Sequence, residues 1–237
     1  MRRAGKGDYT RRVLRVSKQL LLSLTLEKTL WYSALLSREH GMRVIAGTHK
    51  GRRLASPKQD GVRPTSDKVK EALFSILSPR LPDARFVDLY AGTGAIGIEA
   101  LSRGARQAIF VEPSSTARRL LRLNLAQCGL MEAAQVYAGT AEAFLREAGP
   151  SQGHYDIVFA DPPYHAGGTE SLLGALQQCP FLDMDSTVVI EHFSKLSLPA
   201  QVGTLSRVRQ YRYGDTTLSL FRVPARATDT HRAIQSP

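Results

Sequence analysis

Strand-like runs alternate with helical patterns through the middle of this 237-residue chain, and no other feature restricts its possible folds as much. The strand-like runs lie at 85–90, 107–112, 134–138, 155–160 and 187–191. The helical patterns lie near 95–103, 115–127, 140–148 and 169–178. Strands that alternate with helices of this length form a parallel sheet covered by helices on both faces. The pattern therefore predicts an α/β fold.

Shorter elements are predicted on either side of this alternation. The runs 205–213 and 216–223 are separated only by Gly214-Asp215, which is typical of a two-residue antiparallel hairpin and brings the predicted sheet to seven strands. Ahead of the alternation, His49-Lys50-Gly51 separates two short strand-like runs, which predicts another hairpin. A helix follows, because apolar residues recur at helical spacing from Val69 to Leu77.

These elements suggest a division of the chain. We predict an N-terminal hairpin and helix at 42–82, a main domain at 83–224 and a loose tail at 225–237. Residues 1–41 hold nine Lys or Arg and three acids, within a chain of net charge +11. Such a surplus favours a nucleic-acid partner. The first 41 residues are predicted to be a basic extension, which is either a disordered or RNA-binding arm or an upstream start-site artefact.

Other features narrow the class of protein. No run of roughly twenty apolar residues occurs, so no membrane-spanning helix is predicted. Cys128 and Cys179 lie far apart without metal-ligand spacing, which is typical of a reduced, cytoplasmic protein without disulfides. Several histidines also lack metal spacing and are predicted to lie at the surface or in loops: His49, His154, His165 and His192. No metal site is predicted, and nothing in the pattern requires more than a monomer.

The first strand-like run leads into a glycine-rich loop. Gly92 and Gly94 allow a tight turn and a close approach of the backbone to a ligand. Glu112 ends the second run, where a carboxylate commonly holds ribose hydroxyls. The loop also fits the dinucleotide pattern of NAD-binding proteins. Asp88, placed to meet a cationic amino-acid group, favours S-adenosyl-L-methionine instead.

The fourth strand-like run stops at Asp161-Pro162-Pro163-Tyr164. Proline fixes φ and lacks an amide hydrogen, so the two prolines end the strand and stiffen the turn. The tetrapeptide alone is compatible either with a simple strand end or with a group that binds an amine-bearing ring. Because ligands of open α/β sheets bind at the carboxyl ends of the strands, Asp88, Glu112 and Asp161 are expected to converge on one crevice. That convergence favours methyl transfer to an amine.

Taken together, the motifs resemble a known family. From Met42 to about Val223 the chain is similar to the bacterial 16S rRNA (guanine-N2)-methyltransferases of the RsmD type, within the seven-stranded Rossmann-like methyltransferases that use S-adenosyl-L-methionine. The resemblance rests on the glycine loop, on the Asp-Pro-Pro-Tyr motif and on three further segments: 42–54, 63–74 and 189–192. It implies methylation of a guanine in 16S rRNA, free or within a small-subunit assembly particle.

The resemblance also implies roles for individual residues. The acceptor amine is expected to meet four catalytic residues: Asp161, Pro162, Pro163 and Tyr164. The cofactor is expected to meet Asp88, Gly92, Gly94, Glu112, Thr140 and Ala141. Relatives often carry Asp or Asn where this chain has Thr140, so the Thr140 hydroxyl or the Ala141 amide is expected to replace that adenine contact. RNA phosphates are expected to meet basic side chains of the 50–70 segment: Lys50, Arg52, Arg53, Lys58, Arg63, Lys68 and Lys70.

Two alternatives remain open from the sequence. The tetrapeptide chemistry equally suits an adenine-N6 or other amino-methyltransferase that acts on DNA, RNA or protein. A non-catalytic RNA-binding assembly factor on the same fold is the other hypothesis, against which the intact Asp161 and Tyr164 argue. Only the resemblance of residues 42–77 selects ribosomal guanine.

Overall fold

One β-sheet forms the centre of the computed structural model, which describes residues 42–56, 67–147, 153–163 and 168–224. The strands are β1 (Arg85–Asp88), β2 (Gln107–Val111), β3 (Ala134–Tyr137), β4 (Ile157–Ala160), β5 (Thr187–Phe193), β6 (Gln201–Val202), β7 (Leu205–Tyr213) and β8 (Thr216–Arg222). Their order across the sheet is β3-β2-β1-β4-β5-β8-β7-β6. The first five strands are parallel, whereas β8, β7 and β6 each pair antiparallel with their neighbours. The predicted α/β fold with a C-terminal antiparallel hairpin is confirmed.

Helices cover both faces of this sheet. The α-helices of the described residues are α1 (Asp67–Leu77), α2 (Ala95–Ser102), α3 (Ser115–Cys128), α4 (Ala141–Glu147) and α5 (Gly168–Leu176). Apolar side chains of α1, α2 and α3 form one buried cluster with one sheet face. Those of α4 and α5 form a second cluster with the other face. The burial of apolar surface on two faces is the main stabilising contribution to such a layered fold.

The sheet has one strand more than the seven predicted. The additional strand, β6, has only two residues, and Val202 pairs with Leu205 across a tight turn. A two-residue strand is too short to produce an alternating pattern of apolar and polar residues. Its pairing with β7 therefore had no signal in the sequence.

The N-terminal hairpin is closed by main-chain hydrogen bonds and attached to the helices beside it. Arg43 and Arg53 form an isolated antiparallel bridge, and the Leu54 amide donates to the Met42 carbonyl at 2.8 Å. Val44 and Leu54 are buried in the cluster that contains α1. The rest of its attachment comes from main-chain groups that bond to side chains of α2 and α3, which brings the hairpin beside the glycine loop.

Candidate active site

Asp88 ends β1 at the carboxyl edge of the parallel strands and is almost completely buried. Its Oδ2 accepts a hydrogen bond from the Gly97 amide at 3.2 Å, while its Oδ1 has no hydrogen-bonding partner among the described residues. Burial is the main reason that the pKa of Asp88 is raised to about 7; main-chain hydrogen bonds oppose this change, and the neighbouring carboxyl groups of Asp161 and Glu112 add to it. Three acidic groups therefore meet at one edge of the sheet, an arrangement that favours a cationic ligand.

Glu112 joins the glycine loop to the end of β2. Its two carboxylate oxygens accept hydrogen bonds from the Gly92 amide at 2.9 Å and from the Ser114 amide at 2.7 Å. A carboxylate offers about four lone-pair sites, so Glu112 keeps acceptor capacity for a hydroxyl group. Gly92 has φ of +52°, and a Cβ placed there would meet nothing within 4 Å. The backbone at Gly92 thus borders open space.

Gly94 and Gly97 serve packing as well as the turn. Gly94 has φ of +89°, and a Cβ on it would lie 2.3 Å from Cδ1 of Leu121. A Cβ on Gly97 would lie 2.3 Å from the ring of Phe110 in β2. The absence of a Cβ at Gly97 lets α2 lie close against the sheet, and its absence at Gly94 leaves room for Leu121 of α3, so part of the glycine pattern reflects packing.

Asp161 follows β4 directly, beside β1 in the sheet. Burial raises the pKa of Asp161 to about 6. Pro162 is buried and Pro163 is exposed, so the turn leaves the sheet at this point. Tyr164 lies outside the described residues. The structure brings the carboxyl groups of Asp88, Glu112 and Asp161 together, as the strand ends predicted.

Thr140 and Ala141 lie after β3, where α4 begins. The Thr140 hydroxyl accepts a hydrogen bond from the Ala143 amide at 3.2 Å, which is the geometry of a helix N-cap. Ala141 is buried at the first position of that helix. Nearby, the Tyr90 hydroxyl lies 3.4 Å from a carboxylate oxygen of Glu142 and joins the β1 loop to the β3 loop. Tyr90 and Glu142 are site-edge residues that the sequence analysis did not single out.

Asn124 is a further residue that the sequence analysis missed. It is completely buried in α3, and its amide nitrogen donates to the Thr93 carbonyl at 2.9 Å and to the Ala55 carbonyl at 3.0 Å. Its amide oxygen accepts from the Ala55 amide at 2.7 Å. One side chain therefore fixes the glycine loop and the end of the hairpin together. A buried Asn on an amphipathic helix is the available signal in the sequence, because such a group requires hydrogen-bonding partners.

The basic segment divides into exposed and structural residues. Four of these side chains are exposed: Lys50, Arg52, Arg53 and Lys68. Of these, Arg52 also donates a hydrogen bond to the Gln127 carbonyl in α3. Lys58 and Arg63 lie outside the described residues. The prediction for Lys70 is wrong, since its side chain is 2% exposed.

Lys70 is part of a buried charge cluster. Its Nζ lies 3.7 Å from Glu99 and donates to the Arg43 carbonyl at 2.6 Å. Arg103 also pairs with Glu99 at 2.7 Å. Burial lowers the pKa of Lys70, and the Glu99 carboxylate opposes that change. Glu99 further accepts the amides of two hairpin residues, so the cluster attaches the hairpin to α2.

His192 also differs from its prediction, because it is buried within β5 rather than at the surface or in a loop. Its Nε2 lies 2.8 Å from the Ser219 hydroxyl of β8. Burial lowers the pKa of His192, which favours the neutral ring. Among the residues that the structure describes, no group of three His, Cys, Asp or Glu side chains has a metal-binding arrangement.

Comparisons with known proteins identify the family of this chain. A family model described as "Conserved hypothetical protein 95" matches residues 42–222. The ribosomal RNA small subunit methyltransferase D of Escherichia coli is 34% identical over 76% of this chain and 89% of its own length. The Haemophilus influenzae protein of the same name is 36% identical over 63% of this chain and 78% of its own. The chain belongs to the RsmD-type rRNA methyltransferase family.

A solved structure of a family relative supports this assignment. The Escherichia coli protein yhhF superposes with a TM-score of 0.69 at 32% identity, covering 79% of this chain and all of that chain. In this RsmD-type chain, the match to the family model begins at the N-terminal hairpin and ends with the last residue of β8. No described helix is long and apolar enough to cross a membrane.

Proposed function

We propose that this RsmD-type protein transfers a methyl group from S-adenosyl-L-methionine to the exocyclic N2 amine of a guanine in 16S rRNA. The observation that carries the proposal is the convergence of Asp88, Glu112 and Asp161 at the carboxyl edge of the sheet. Relatives named ribosomal RNA small subunit methyltransferase D support the choice of RNA. A Salinibacter ruber RNA methyltransferase in complex with S-adenosyl-L-homocysteine shares the fold at TM-score 0.54 and 18% identity.

The residues around the glycine loop fit this cofactor. Asp88 presents a buried Oδ1 that accepts no hydrogen bond from the residues that the structure describes, which suits the ammonium group of the methionine moiety. Glu112 keeps lone pairs for ribose hydroxyls, and the open space at Gly92 admits a ligand against the backbone. Gly94 completes that turn, with Thr140 and Ala141 on the adenine side. When bound, S-adenosyl-L-methionine supplies a methyl group on a positively charged sulfur, so the electrophile is already activated.

Asp161 and the turn after it would hold the acceptor amine. The lone pair of a guanine amine is delocalised into the ring, which makes the amine a weak nucleophile. Hydrogen bonds accepted by the Asp161 carboxylate and the Pro162 carbonyl favour a pyramidal nitrogen with its lone pair available. Because the pKa of Asp161 is about 6, the group is mostly ionised at neutral pH and can accept these bonds. Pro163 stiffens the turn, and Tyr164 is assigned a stacking role on the base from the sequence.

Charge development explains why a carboxylate is suited to this position. Positive charge appears on the amine nitrogen as the new bond forms, so Asp161 stabilises the transition state more than the ground state. The methylated ammonium is acidic and loses its proton to solvent or to Asp161. No strong general base is required.

The hairpin-and-helix unit, 42–82, would contact the RNA backbone. Exposed cations there include Lys50, Arg53 and Lys68, and Arg52 extends beside them. Arg63 is assigned to the same surface from the sequence. Lys and Arg side chains that neutralise phosphates give binding that weakens as salt increases. The unit would thus orient rRNA toward the main domain, 83–224.

The remaining parts of the proposal concern the state of the protein. We propose a cytoplasmic monomer that works without a metal ion. Cys128 and Cys179 are both buried and unpaired, as expected of a protein in a reducing compartment. Sedimentation of the purified protein tests the monomer, and retained turnover in a chelator tests the absence of a metal requirement.

The decisive experiment is transfer of labelled methyl groups to small ribosomal subunits from a strain that lacks the modification. We expect N2-methylguanosine in the digested 16S rRNA, with naked 16S rRNA assayed in parallel. N6-methyladenosine would identify an adenine-N6 enzyme, and no transfer would support a non-catalytic assembly factor. The Asp161→Asn variant, assayed in the same way, should lose most of the methyl transfer, which shows that the activity belongs to this protein and not to a contaminant.

A further inference from the structure

Aromatic and basic side chains form a stripe on strands β5 and β7, in the C-terminal part of the chain. Tyr211 and Tyr213 of β7 pair with Leu218 and Thr216 of β8, and Phe193 of β5 pairs with Thr216 from its other side. Residues directly opposite one another in paired strands project to the same face of the sheet. Phe193 and Tyr213 therefore flank Thr216 on one face. We call this group, together with Arg209, the β7 stripe: Phe193, Arg209, Tyr211 and Tyr213.

The face that carries the β7 stripe is the one that carries the N-terminal hairpin. Leu218, Tyr211 and Tyr213 pack with the core cluster that contains Val44 and Leu54 of the hairpin. On the opposite face, His192 and Gln210 both hydrogen-bond to the Ser219 hydroxyl. A bulge between Arg207 and Arg209 shifts the pairing of β7 with β8. As a result Arg209 opposes Leu220 and lies on the face of the sheet that carries the hairpin.

The end of the β7 stripe also lies at the edge of the sheet that carries the active site. Because β8 is antiparallel to β5 and β7 is antiparallel to β8, the last residue of β7 reaches the carboxyl edge of the parallel strands. At that same edge, Asp88 ends β1 and Asp161 follows β4. Phe193 is 37% exposed there, so part of its surface is accessible to a ligand at this edge.

The charge around the β7 stripe suits a polyanion. Residues 193–224 contain five Lys or Arg and a single acid, Asp215. Lys195, Arg209 and Arg212 are exposed. Arg212 pairs with Thr217, so it projects to the opposite face, where its Nε donates to the Gly214 carbonyl at 3.1 Å. This set lies outside the 50–70 segment that the sequence assigned to RNA.

We propose that a single-stranded segment of the substrate rRNA lies across the β7 stripe as it approaches the active site, an inference that rests on the proposed function. Bases would stack on Phe193 and Tyr213, since single-stranded RNA is held by aromatic side chains and by the positive charge that follows its backbone. Phosphates would meet Arg209, and Lys195, just after β5, would add positive charge along the path of the RNA. The β7 stripe and the hairpin would then bind the RNA from two sides of the acceptor position.

The test compares two double variants of the full chain. Phe193→Ala with Arg209→Ala removes a ring and a charge from the β7 stripe. Met131→Ala with Arg106→Ala removes an exposed apolar side chain and an exposed charge near the amino ends of β3 and β2, at the opposite edge of the sheet. Both are assayed for methyl transfer to undermethylated small subunits, for binding of naked 16S rRNA across a salt series, and for S-adenosyl-L-homocysteine affinity. Arg209→Gln alone keeps the assay interpretable if the double variant loses stability.

The stripe variant should raise KM for subunits about tenfold while kcat and S-adenosyl-L-homocysteine affinity stay at wild-type values. Its log–log salt slope for naked RNA, and that of Arg209→Gln, should fall by about one. The control variant, Met131→Ala with Arg106→Ala, should have the KM and the salt slope of the wild type. If the stripe variant has the same KM and salt slope as the wild type, RNA binding by the β7 stripe is excluded. Methyl transfer by the wild-type enzyme would still support the proposed function. A KM defect on subunits with normal binding of naked RNA would mark the stripe as a protein contact and also overturn it. Absence of transfer by the wild-type enzyme would count against the proposed function itself.

Discussion

The side-chain amide of Asn124 donates a 2.9 Å hydrogen bond to the Thr93 carbonyl and at the same time binds both main-chain groups of Ala55. Thr93 belongs to the glycine loop, and Ala55 ends the hairpin. The proposed cofactor site and the proposed RNA-binding unit therefore share one buried side chain. A shift of the Asn124 side chain would therefore disturb both segments.

Replacement of Asn124 by Ala should destabilise the protein by about 2–4 kcal/mol, because three buried polar groups lose their partner. Cofactor affinity should fall as well, since the loop loses its anchor. Chemical denaturation and titration with S-adenosyl-L-homocysteine measure the two effects. Arg122→Ala, at an exposed position of the same helix, should change neither. Equal stability of the two variants would contradict the role assigned to Asn124.

Replacement of Asp161 by Ala should lower kcat by about two to three orders of magnitude, because the carboxylate is assigned to the charge that develops on the amine. Affinity for S-adenosyl-L-homocysteine should change little. Single-turnover methyl transfer and calorimetry separate these quantities, and Asp185→Ala provides an exposed acidic control. Weak cofactor binding with normal turnover would show that Asp161 serves the cofactor instead.

Asp88 should make cofactor binding release protons near pH 6.5. The raised pKa of about 7 means that part of the Asp88 population is protonated at this pH. A cationic ligand favours the ionised form, so binding lowers the pKa and releases a proton, and affinity rises with pH toward 8. Calorimetry in buffers of different ionisation enthalpy measures the release, which should vanish at pH 8.5. It should also vanish at pH 6.5 in Asp88→Asn, and a release that persists there would assign the proton to another group.

The raised pKa of Asp88 also predicts how the ligand-free protein responds to pH. The native state binds more protons than the unfolded state between about pH 4 and 7, so the free energy of unfolding should decrease as pH rises through this range. Denaturant titrations at fixed pH measure the slope. Asp88→Asn should reduce it, while Asp161, whose pKa is also raised, keeps part of the slope below about pH 6; an identical slope in that variant would exclude Asp88 as a source.

Gly97→Ala should destabilise the protein by about 1–3 kcal/mol, because the new methyl group would lie 2.3 Å from the Phe110 ring and force α2 away from the sheet. Gly174 provides a matched control in helix α5, where a Cβ would meet nothing within 4 Å. Gly174→Ala should be neutral or slightly stabilising, as helix propensity predicts. Thermal unfolding compares the pair, and similar melting temperatures would show that the helix shifts without cost.

The sequence predicted the sheet well because parallel strands such as β4 are buried on both faces and appear as continuous apolar runs. It also predicted which strand ends carry acids, since topology places all carboxyl ends at one edge. It did not distinguish Lys70 from Lys68. Lys70 lies three and four positions before the buried Leu73 and Phe74, so helical spacing was an available signal, and the pairing with Glu99 explains why a lysine is tolerated there.

Contacts between distant segments were the hardest to anticipate. Asn124 meets Ala55 across 69 positions, and His192 meets Ser219 across a strand pair. Neither partner is marked by a local pattern, because a buried polar group records the need for a partner but not its identity. The β7 stripe was missed for a similar reason, since strand pairing is needed to place Phe193 beside Tyr213.

The hairpin is joined to the main domain largely through its own main chain. Glu99 accepts the Ile45 and Ala46 amides, and Ser102 accepts the His49 amide with its hydroxyl and the Thr48 amide with its carbonyl. Peptide groups are the same for every residue except proline. Exposed hairpin side chains that make no such contact, such as those of Lys50 and Arg53, can therefore be exchanged while the docking is kept. This leaves evolution, or a protein engineer, a separate surface on which to alter RNA preference.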